Sequence, residues 1–137
     1  MKLAIVIPTY NEAETIPSLI KELFEKIKQL VEKLDVLIID DSSPDGTGSI
    51  VKAVISEYPD RIFLETRPKK EGLGRAYLHA FKWALLKGYN YIFEIDADFS
   101  HNPKDIPRMQ ERLIKGADVV IGSRYIDGIN VINWPLG

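Results

Sequence analysis

The sequence predicts an α/β fold in which a mainly parallel sheet carries helices on both faces. Short apolar runs suited to buried strands alternate along the chain with segments whose apolar residues recur at helical spacing. Glycine and proline residues separate many of these segments. Strands that are joined through helices lie parallel in one sheet, so the repeated alternation predicts this architecture.

The alternation assigns the elements in order. We predict five strands, at residues 3–7, 36–39, 62–64, 91–95 and 119–121. Helices are predicted between them, at residues 16–34, 49–58, 73–87 and about 104–115. Gly88 is placed to cap the third helix, and Pro103 to open the fourth. The last residues, 125–137, show no clear periodicity.

Composition narrows the functional classes. The 137 residues are 45% hydrophobic, which suits one domain with a real core. Eighteen Lys and Arg against twenty Asp and Glu give a net charge of -2, which argues against a nucleic-acid partner. The chain has no cysteine, and it has no apolar run of the ~18 residues that a membrane span needs. We therefore expect a cytoplasmic protein.

Three of the predicted strands are followed by polar residues. These segments are residues 8–12 after the first strand, 40–47 after the second and 96–98 after the fourth. In a parallel sheet they meet at the carboxyl edge, where open α/β sheets bind their ligands. Acidic groups gathered there repel one another unless a metal ion, or donors such as a nucleobase and ribose hydroxyls, compensate.

Asp96 and Asp98 are the most informative pair. Residues two apart in an extended segment point the same way, so both carboxylates can converge on one cation. Their hard oxygens suit Mg²⁺ or Mn²⁺, with substrate phosphate oxygens completing the shell. Alternatively, one aspartate caps a helix and the other is solvated. The two neighbouring polar strand ends favour the metal site.

Other residues at this edge have two readings each. Asp40 and Asp41 either form an Asx-turn or accept hydrogen bonds from a base or ribose, and Asp45 is interpreted as the N-cap of the next helix. Glu12 either begins the first long helix or faces a ligand. Tyr10 either packs in its loop or flanks a base.

The basic residues near the third helix are interpreted as a solvated loop rather than an anion site; they are Arg67, Lys69, Lys70 and Arg75. Arg124, just past the fifth strand, is a better candidate for phosphate because its fork geometry matches such oxygens. His101 either orients the loop after Asp98 or caps the following turn.

Five segments, in order along the chain, resemble the inverting glycosyltransferases of family 2, which have the GT-A fold. They lie at residues 5–12, 39–47, 72–74, 96–101 and 122–125. Within that family the chain is most similar to the dolichol-phosphate mannose synthases. A single Asp-x-Asp is a weak signal, but five ordered segments over nearly the whole chain are a strong one.

The resemblance implies metal-dependent transfer of mannose, with inversion, from GDP-mannose to a polyprenyl (dolichyl) phosphate. It implies that the base and ribose are held by Pro8, Tyr10, Glu12 and one of the Asp40–Asp41 pair. Asp96 and Asp98 would hold the diphosphate and Mg²⁺ or Mn²⁺, with Asp98 also counted as catalytic. Arg124, the other catalytic candidate, would meet phosphate. Ser100 stands where some relatives place a glutamine ligand.

The chain is shorter than the family's catalytic domains. The resemblance implies a donor-binding core at residues 1–124 and the start of an acceptor-side segment at 125–137, after which more chain is expected. We therefore expect the chain to bind donor nucleotide better than it turns it over. The lipid acceptor implies a location at the cytoplasmic membrane face.

Alternative functions remain at this point. One is a family 2 transferase that uses UDP-glucose or another nucleotide sugar, and another is a non-catalytic nucleotide-binding module. A signalling receiver domain is disfavoured, because its acidic pair would follow the first strand, where this chain has Pro8-Thr9-Tyr10. A dinucleotide-dependent dehydrogenase is disfavoured because no Gly-x-Gly-x-x-Gly follows that strand.

Overall fold

A computed structural model describes residues 2–27, 33–69, 72–98, 102–117, 119–123 and 128–132. The strands are β1 Leu3–Thr9, β2 Leu34–Asp40, β3 Ile62–Thr66, β4 Tyr91–Glu94, β5 Val119–Ser123 and β6 Gly128–Ile132. The helices are α1 Ile16–Glu22, α2 Thr47–Ile55, α3 Leu73–Leu86 and α4 Ile106–Ile114. A π-helical turn, Leu23–Ile27, continues α1, and a 3₁₀ turn, Pro103–Asp105, leads into α4. The chain forms two compact units, Met1–His101 and Asn102–Gly137.

The first unit contains a four-stranded parallel sheet in the order β3-β2-β1-β4. β1 is central, because Leu3 pairs with Leu34 on one side and with Tyr91 on the other. Every residue of β2 is buried, as expected for a strand covered on both faces. The predicted α/β class and parallel sheet are confirmed.

Both faces of this sheet are buried. On one face, α3 packs its Ala76 and Ala80 against Val6, Leu37 and Ile39. These small helix residues let the helix approach the strands closely. The alternate residues of β1, which are Leu3, Ile5 and Ile7, are also completely buried, and α1 and α2 each carry buried apolar side chains. The predicted helical layers on both sides of the sheet are confirmed.

The predicted helix at residues 16–34 ends too late. Leu34 begins β2 and pairs with Leu3, so its assignment to the helix was wrong. An apolar residue at this junction fits the helical pattern and the strand pattern equally well, and pairing with β1 decides between them. Residues 28–32 lie outside the described part of the chain. Gly88, with φ +79°, follows the end of α3, and its predicted capping position is confirmed.

The second unit contains α4 and a two-stranded sheet. β5 is present where a fifth strand was predicted, and its described partner is β6, which runs antiparallel to it. The sequence pattern missed β6 because Asn130 interrupts its apolar residues, Ile129, Val131 and Ile132, so no continuous apolar run marks the strand. The predicted division of the chain at residue 124 stays a prediction.

Candidate functional site

A cavity of about 270 Å³ opens at the carboxyl ends of the parallel strands, within the first unit. The loops after β1, β2 and β4 contribute to it, together with the start of α3. Its lining residues are Pro8, Thr9, Tyr10, Glu12, Asp41, Gly72, Ala76, Asp96, Ala97 and Asp98. The fold thus brings together most of the residues that the sequence singled out at separate strand ends.

Asp40 and Asp41 differ in their surroundings. Asp40 is 2% exposed, and its carboxylate accepts hydrogen bonds from the chain itself. The donors are the Thr9 hydroxyl at 2.8 Å, the Ser43 hydroxyl at 2.6 Å and the Ser43 amide at 3.0 Å. The Asx-turn interpretation therefore describes Asp40, while Asp41 is the member of the pair that lines the cavity.

Asp45 connects the loop after β2 to the loop after β1 through hydrogen bonds. One carboxylate oxygen accepts the amide of Thr47 at 3.0 Å, and the other accepts the amide of Ala13 at 3.1 Å. The Thr47 hydroxyl, which also donates to Asp45, in turn accepts the amide of Glu12 at 3.1 Å. The hydrogen bonds from Thr47 lower the pKa of Asp45. The N-cap assignment was wrong by one residue, because Gly46 with φ +88° holds that position while Asp45 satisfies the Thr47 amide from before it.

The same loops contain two strained turns. Asn11 has φ +57° and Ser42 has φ +51°. Both values lie in the left-handed region of backbone conformation, which residues other than glycine rarely adopt. The Asn11 amide donates to the Ser43 hydroxyl at 3.0 Å, and the Ser42 hydroxyl donates to the backbone carbonyl of Arg67. These bonds hold the turns, so the loop that carries Tyr10 and Glu12 is shaped in advance by the loop after β2.

Arg67 lies directly after β3 and is only 8% exposed. Its Nε is 2.9 Å from Oδ1 of Asp41, and its Nη2 donates a hydrogen bond to Oδ2 of the same carboxylate at 3.5 Å. Its backbone amide donates to the carbonyl of Asp40 at 2.8 Å. The solvated-loop interpretation was therefore wrong for Arg67. The ion pair with this buried cation fixes the Asp41 carboxylate at the cavity.

The other basic residues of that segment behave differently. Lys69 and Arg75 are exposed, as the solvated interpretation predicts, and Lys70 lies outside the described residues. The sequence missed the special position of Arg67 because β3 runs two residues further than its apolar pattern, from Leu64 to Thr66. That extension carries Arg67 to the sheet edge beside Asp41.

Negative charge is concentrated at this cavity. The pKa of Glu12 is raised by burial and by the charges of Asp98, Asp45 and Asp96, and a hydrogen bond from Thr15 opposes this rise in part. Burial and the nearby charges of Glu94 and Asp96 raise the pKa of Tyr77, on α3, to about 12. Two acidic groups on different elements thus respond to the same field. A bound cation would relieve the repulsion.

The donor set at the cavity suits a hard divalent cation. Asp96 and Asp98 offer carboxylate oxygens, the ligands that Mg²⁺ and Mn²⁺ prefer. Within the described ranges, no group of three or more His, Cys, Asp or Glu side chains is arranged to hold a metal ion. Mg²⁺ that is bound through phosphates usually takes one or two carboxylates from the protein, and the Asp96–Asp98 pair fits that pattern.

Some residues at the cavity were not predicted from the sequence. Gly72 has φ +101°, and only glycine adopts such a backbone readily, so it shapes the turn that starts α3 at the cavity. Ala76, one turn further along the helix, carried no chemical signal in the sequence because small apolar residues are common on buried helix faces. Three predicted residues, Ser100, His101 and Arg124, lie outside the described residues.

In the part of the chain that the structure describes, no helix is both long and apolar enough to cross a bilayer.

Known proteins resemble this chain closely. It is 42% identical over 131 residues to a polyprenol monophosphomannose synthase of Mycolicibacterium smegmatis, covering 96% of this chain and 48% of the relative. It is 38% identical over 137 residues to a dolichol-phosphate mannosyltransferase of Pyrococcus furiosus, covering 98% of this chain and 36% of that protein. The chain therefore spans about half the length, or less, of these relatives.

The structure also resembles solved glycosyltransferases. A mannosyltransferase of Pyrobaculum calidifontis, solved in complex with GDP-Man and Mn²⁺, matches 71% of this chain and 27% of its own with a TM-score of 0.63 and 28% identity. The expected GT-A fold is confirmed. The sequence pattern described as glycosyl transferase family 2 matches residues 4–137. Since that match runs through almost the whole chain, the chain belongs to glycosyl transferase family 2.

Proposed function

We propose that this chain is the donor-binding part of a transferase that moves mannose from GDP-mannose to a polyprenyl phosphate. One observation carries the proposal: Glu12, Asp41, Asp96 and Asp98 converge on one cavity at the carboxyl edge of the parallel sheet. The names of the relatives, and the GDP-Man and Mn²⁺ of the structural neighbour, support the choice of donor and acceptor.

The nucleotide half of the donor is proposed to bind between the loops after β1 and β2. Asp41, fixed by Arg67, accepts hydrogen bonds from the N–H groups of a base or from ribose hydroxyls. Tyr10, 38% exposed at the cavity, offers a ring face to the base, and Pro8 forms an apolar wall. Glu12 is in reach of ribose hydroxyls from the same loop. Asp40 is proposed to support this site through Thr9 and Ser43.

The diphosphate is proposed to bind beside Asp96 and Asp98, which would hold Mg²⁺ or Mn²⁺ between them and the phosphate oxygens. When bound, such a cation neutralises negative charge on the departing nucleoside diphosphate. The acceptor is a phosphate that is already anionic, so little general-base help is needed. Attack on the anomeric carbon from the face opposite the diphosphate gives inversion. Arg124 is proposed to contact donor or acceptor phosphate.

We also propose how the chain is divided between the two substrates. Residues 1–124 form the donor-binding part and residues 125–137 begin the acceptor side. The protein works at the cytoplasmic face of a membrane, where its lipid acceptor is found. A chain that contains mainly donor-side residues is expected to bind GDP-mannose more readily than it turns it over.

Calorimetric titration tests the donor assignment. The chain is titrated with GDP, GDP-mannose, UDP and UDP-glucose, each with Mn²⁺ and with a chelator. We expect the guanine nucleotides to bind at least about tenfold more tightly than the uracil nucleotides, which corresponds to one discriminating hydrogen-bonded contact. We also expect chelation to weaken diphosphate binding. Equal, weak binding of all four ligands overturns the assignment of GDP-mannose.

A transfer assay separates an enzyme from a binding module. Labelled GDP-mannose and a polyprenyl phosphate are incubated with this chain and with a version extended at its C-terminus. Lipid-linked label from the extended version supports the transferase. Nucleotide binding without label transfer by either chain supports the non-catalytic module instead.

A further inference from the structure

The outer face of α3 carries three exposed leucines. Leu78 is 58% exposed, Leu85 is 69% exposed and Leu86 is 87% exposed. Leu78 and Leu85 lie two helical turns apart, and Lys82 lies between them on the same side. We call these four residues, Leu78, Lys82, Leu85 and Leu86, the leucine strip.

The sheet does not require these leucines. α3 packs on the strands through alanines on its opposite side, Ala76, Ala80 and Ala84, all of them buried. The apolar area of the leucine strip therefore stays in contact with water in this structure, at an energetic cost. Exposed apolar residues grouped on one helix face are typical of a surface that meets another apolar phase.

The side chains of this helix include basic groups but no acidic ones. Residues 72–93 contain no aspartate or glutamate, although the whole chain has a net charge of -2. Exposed cations stand in or beside the leucine strip, at Lys82 within it and at Lys87 just after the helix. The acidic groups near α3 lie away from the leucine strip: Glu65 is 3.9 Å from His79, and the charges of Glu94 and Asp96 act on Tyr77. Exposed leucines beside exposed lysines complement the surface of an anionic bilayer.

We propose that α3 lies on the surface of an anionic membrane through the leucine strip. This inference rests on the proposed function in one respect: membrane binding would bring the protein to its acceptor, because a polyprenyl phosphate resides in the bilayer. The same helix begins at Gly72, which lines the donor cavity. Docking along α3 would therefore hold the cavity beside the lipid surface. The binding is peripheral, with leucine side chains in the headgroup region and Lys82 meeting lipid phosphates.

A second copy of the chain fits this face less well. In a two-fold contact the same patch meets itself, so Lys82 and Lys87 of one copy would approach the same cations of the other. Like charges opposed across an interface disfavour the association. An anionic bilayer instead supplies the opposite charge and an apolar layer together.

Vesicle co-sedimentation of the whole chain tests the proposal. Phosphatidylcholine vesicles are compared with vesicles that also contain phosphatidylserine, at low and at high salt. We expect binding to the anionic vesicles that weakens with salt. Lys82→Gln should lower the partition coefficient about fivefold, the loss expected for one lysine near the surface. The double variant Leu85→Ser, Leu86→Ser should lower it about tenfold or more.

Ile114→Ser is the matched control, because Ile114 is 55% exposed on α4, outside the leucine strip. Its binding to vesicles should equal that of the unaltered chain. Circular dichroism and GDP calorimetry of each variant show that the fold and the donor site are intact, so a failure of the membrane surface is distinguished from a failure of the proposed function. Equal vesicle binding by all variants overturns the proposal. So does a dimer, seen by sedimentation, that Leu85→Ser, Leu86→Ser dissociates.

Discussion

The two ends of the parallel sheet use polar residues in opposite ways. At the amino end, Asp35 is 7% exposed and accepts hydrogen bonds from the Tyr89 hydroxyl at 2.7 Å and from Arg61 at 3.0 Å. Lys2 donates its amide to Asn90 at 2.8 Å and places its ammonium 4.6 Å from the centre of the Tyr89 ring. Donors, acceptors and charges at this end match one another.

At the carboxyl end the carboxylates divide into two groups. Asp40 and Asp45 are hydrogen-bonded by the loops that they join. Asp41, Asp96 and Asp98 line the cavity, and the pKa of Glu12 is raised there by burial first and by the charges of Asp98, Asp45 and Asp96 in addition. This difference between the two ends of the sheet is the basis for proposing that the carboxyl end binds a cationic or hydrogen-bond-donating ligand.

The largest expected effect is at the carboxyl end. Asp98→Ala should reduce the Mn²⁺-dependent affinity for GDP about a hundredfold or more, because one of the two carboxylates for the cation is lost. The melting temperature should not fall, since Asp98 is exposed. Calorimetry with and without Mn²⁺ measures the change, and Glu57→Ala, an exposed carboxylate beyond α2, is the control. Metal-dependent affinity that persists in Asp98→Ala removes Asp98 from the metal site.

The next effect is at the amino end and is confined to stability. Asp35→Ala should lower the free energy of unfolding by about 2–3 kcal/mol, because the buried Tyr89 hydroxyl loses its acceptor and Arg61 its partner. Urea denaturation measures the change. The GDP affinity of Asp35→Ala should be unaltered at urea concentrations below the unfolding transition. A large loss of affinity would contradict the division of roles between the two ends. Glu111→Ala, in an exposed pair on α4, is the control and should leave stability unchanged.

A smaller effect is expected where the loops join. Thr47→Val keeps the shape of a completely buried side chain but removes the acceptor of the Glu12 amide and a donor to Asp45. We expect GDP affinity to fall about fivefold, as for one lost hydrogen bond that positions the loop. Thr47→Ser keeps the hydroxyl and should restore the affinity. If both variants bind GDP equally well, the hydroxyl does not position this loop.

The smallest effect is the pH dependence of Glu12. Its pKa in the folded protein is raised, so the folded state favours its neutral form. The resulting stabilisation is complete below the ordinary pKa and is lost as the pH rises through the raised value. Glu12→Gln should therefore be more stable than the unaltered chain at pH 7, by about 0.5 kcal/mol or less because the group is partly solvated. Thermal unfolding at pH 4 and pH 7 checks this. An advantage of equal size at both values would mean that ionisation is not its cause.

The sequence predicted which loops lie at the carboxyl edge of the sheet better than it predicted which side chains of those loops face the cavity. Pro8, Tyr10, Asp96 and Asp98 could be placed at one edge because parallel strands align their carboxyl ends. Which of Asp40 and Asp41 faces the cavity could not be predicted, because adjacent residues in a turn alternate in direction and the turn itself sets the outcome. Strand pairing likewise decided that Leu34 begins β2.

Arg67 and Ala76 show two further limits. A basic residue after a strand looks solvated until its partner is known, and the partner here, Asp41, is 26 residues away in the chain. Ala76 lines the cavity only because α3 lies close to the sheet. The residue type alone does not predict this position. Long-range contacts decide both positions, whereas periodicity reports only local ones.

The central position of β1 has a consequence for how the protein is made. Leu3 pairs with Leu34 and also with Tyr91, so the sheet is incomplete until a segment 88 residues further along the chain has docked. Such distant pairings are slow to form during folding. The cavity, to which the loops after β1, β2 and β4 contribute, exists only once these pairings have formed. If the cavity binds a nucleotide as we propose, nucleotide at a hundred times its dissociation constant would stabilise the completed sheet by about 2.7 kcal/mol and would protect the protein from proteolysis.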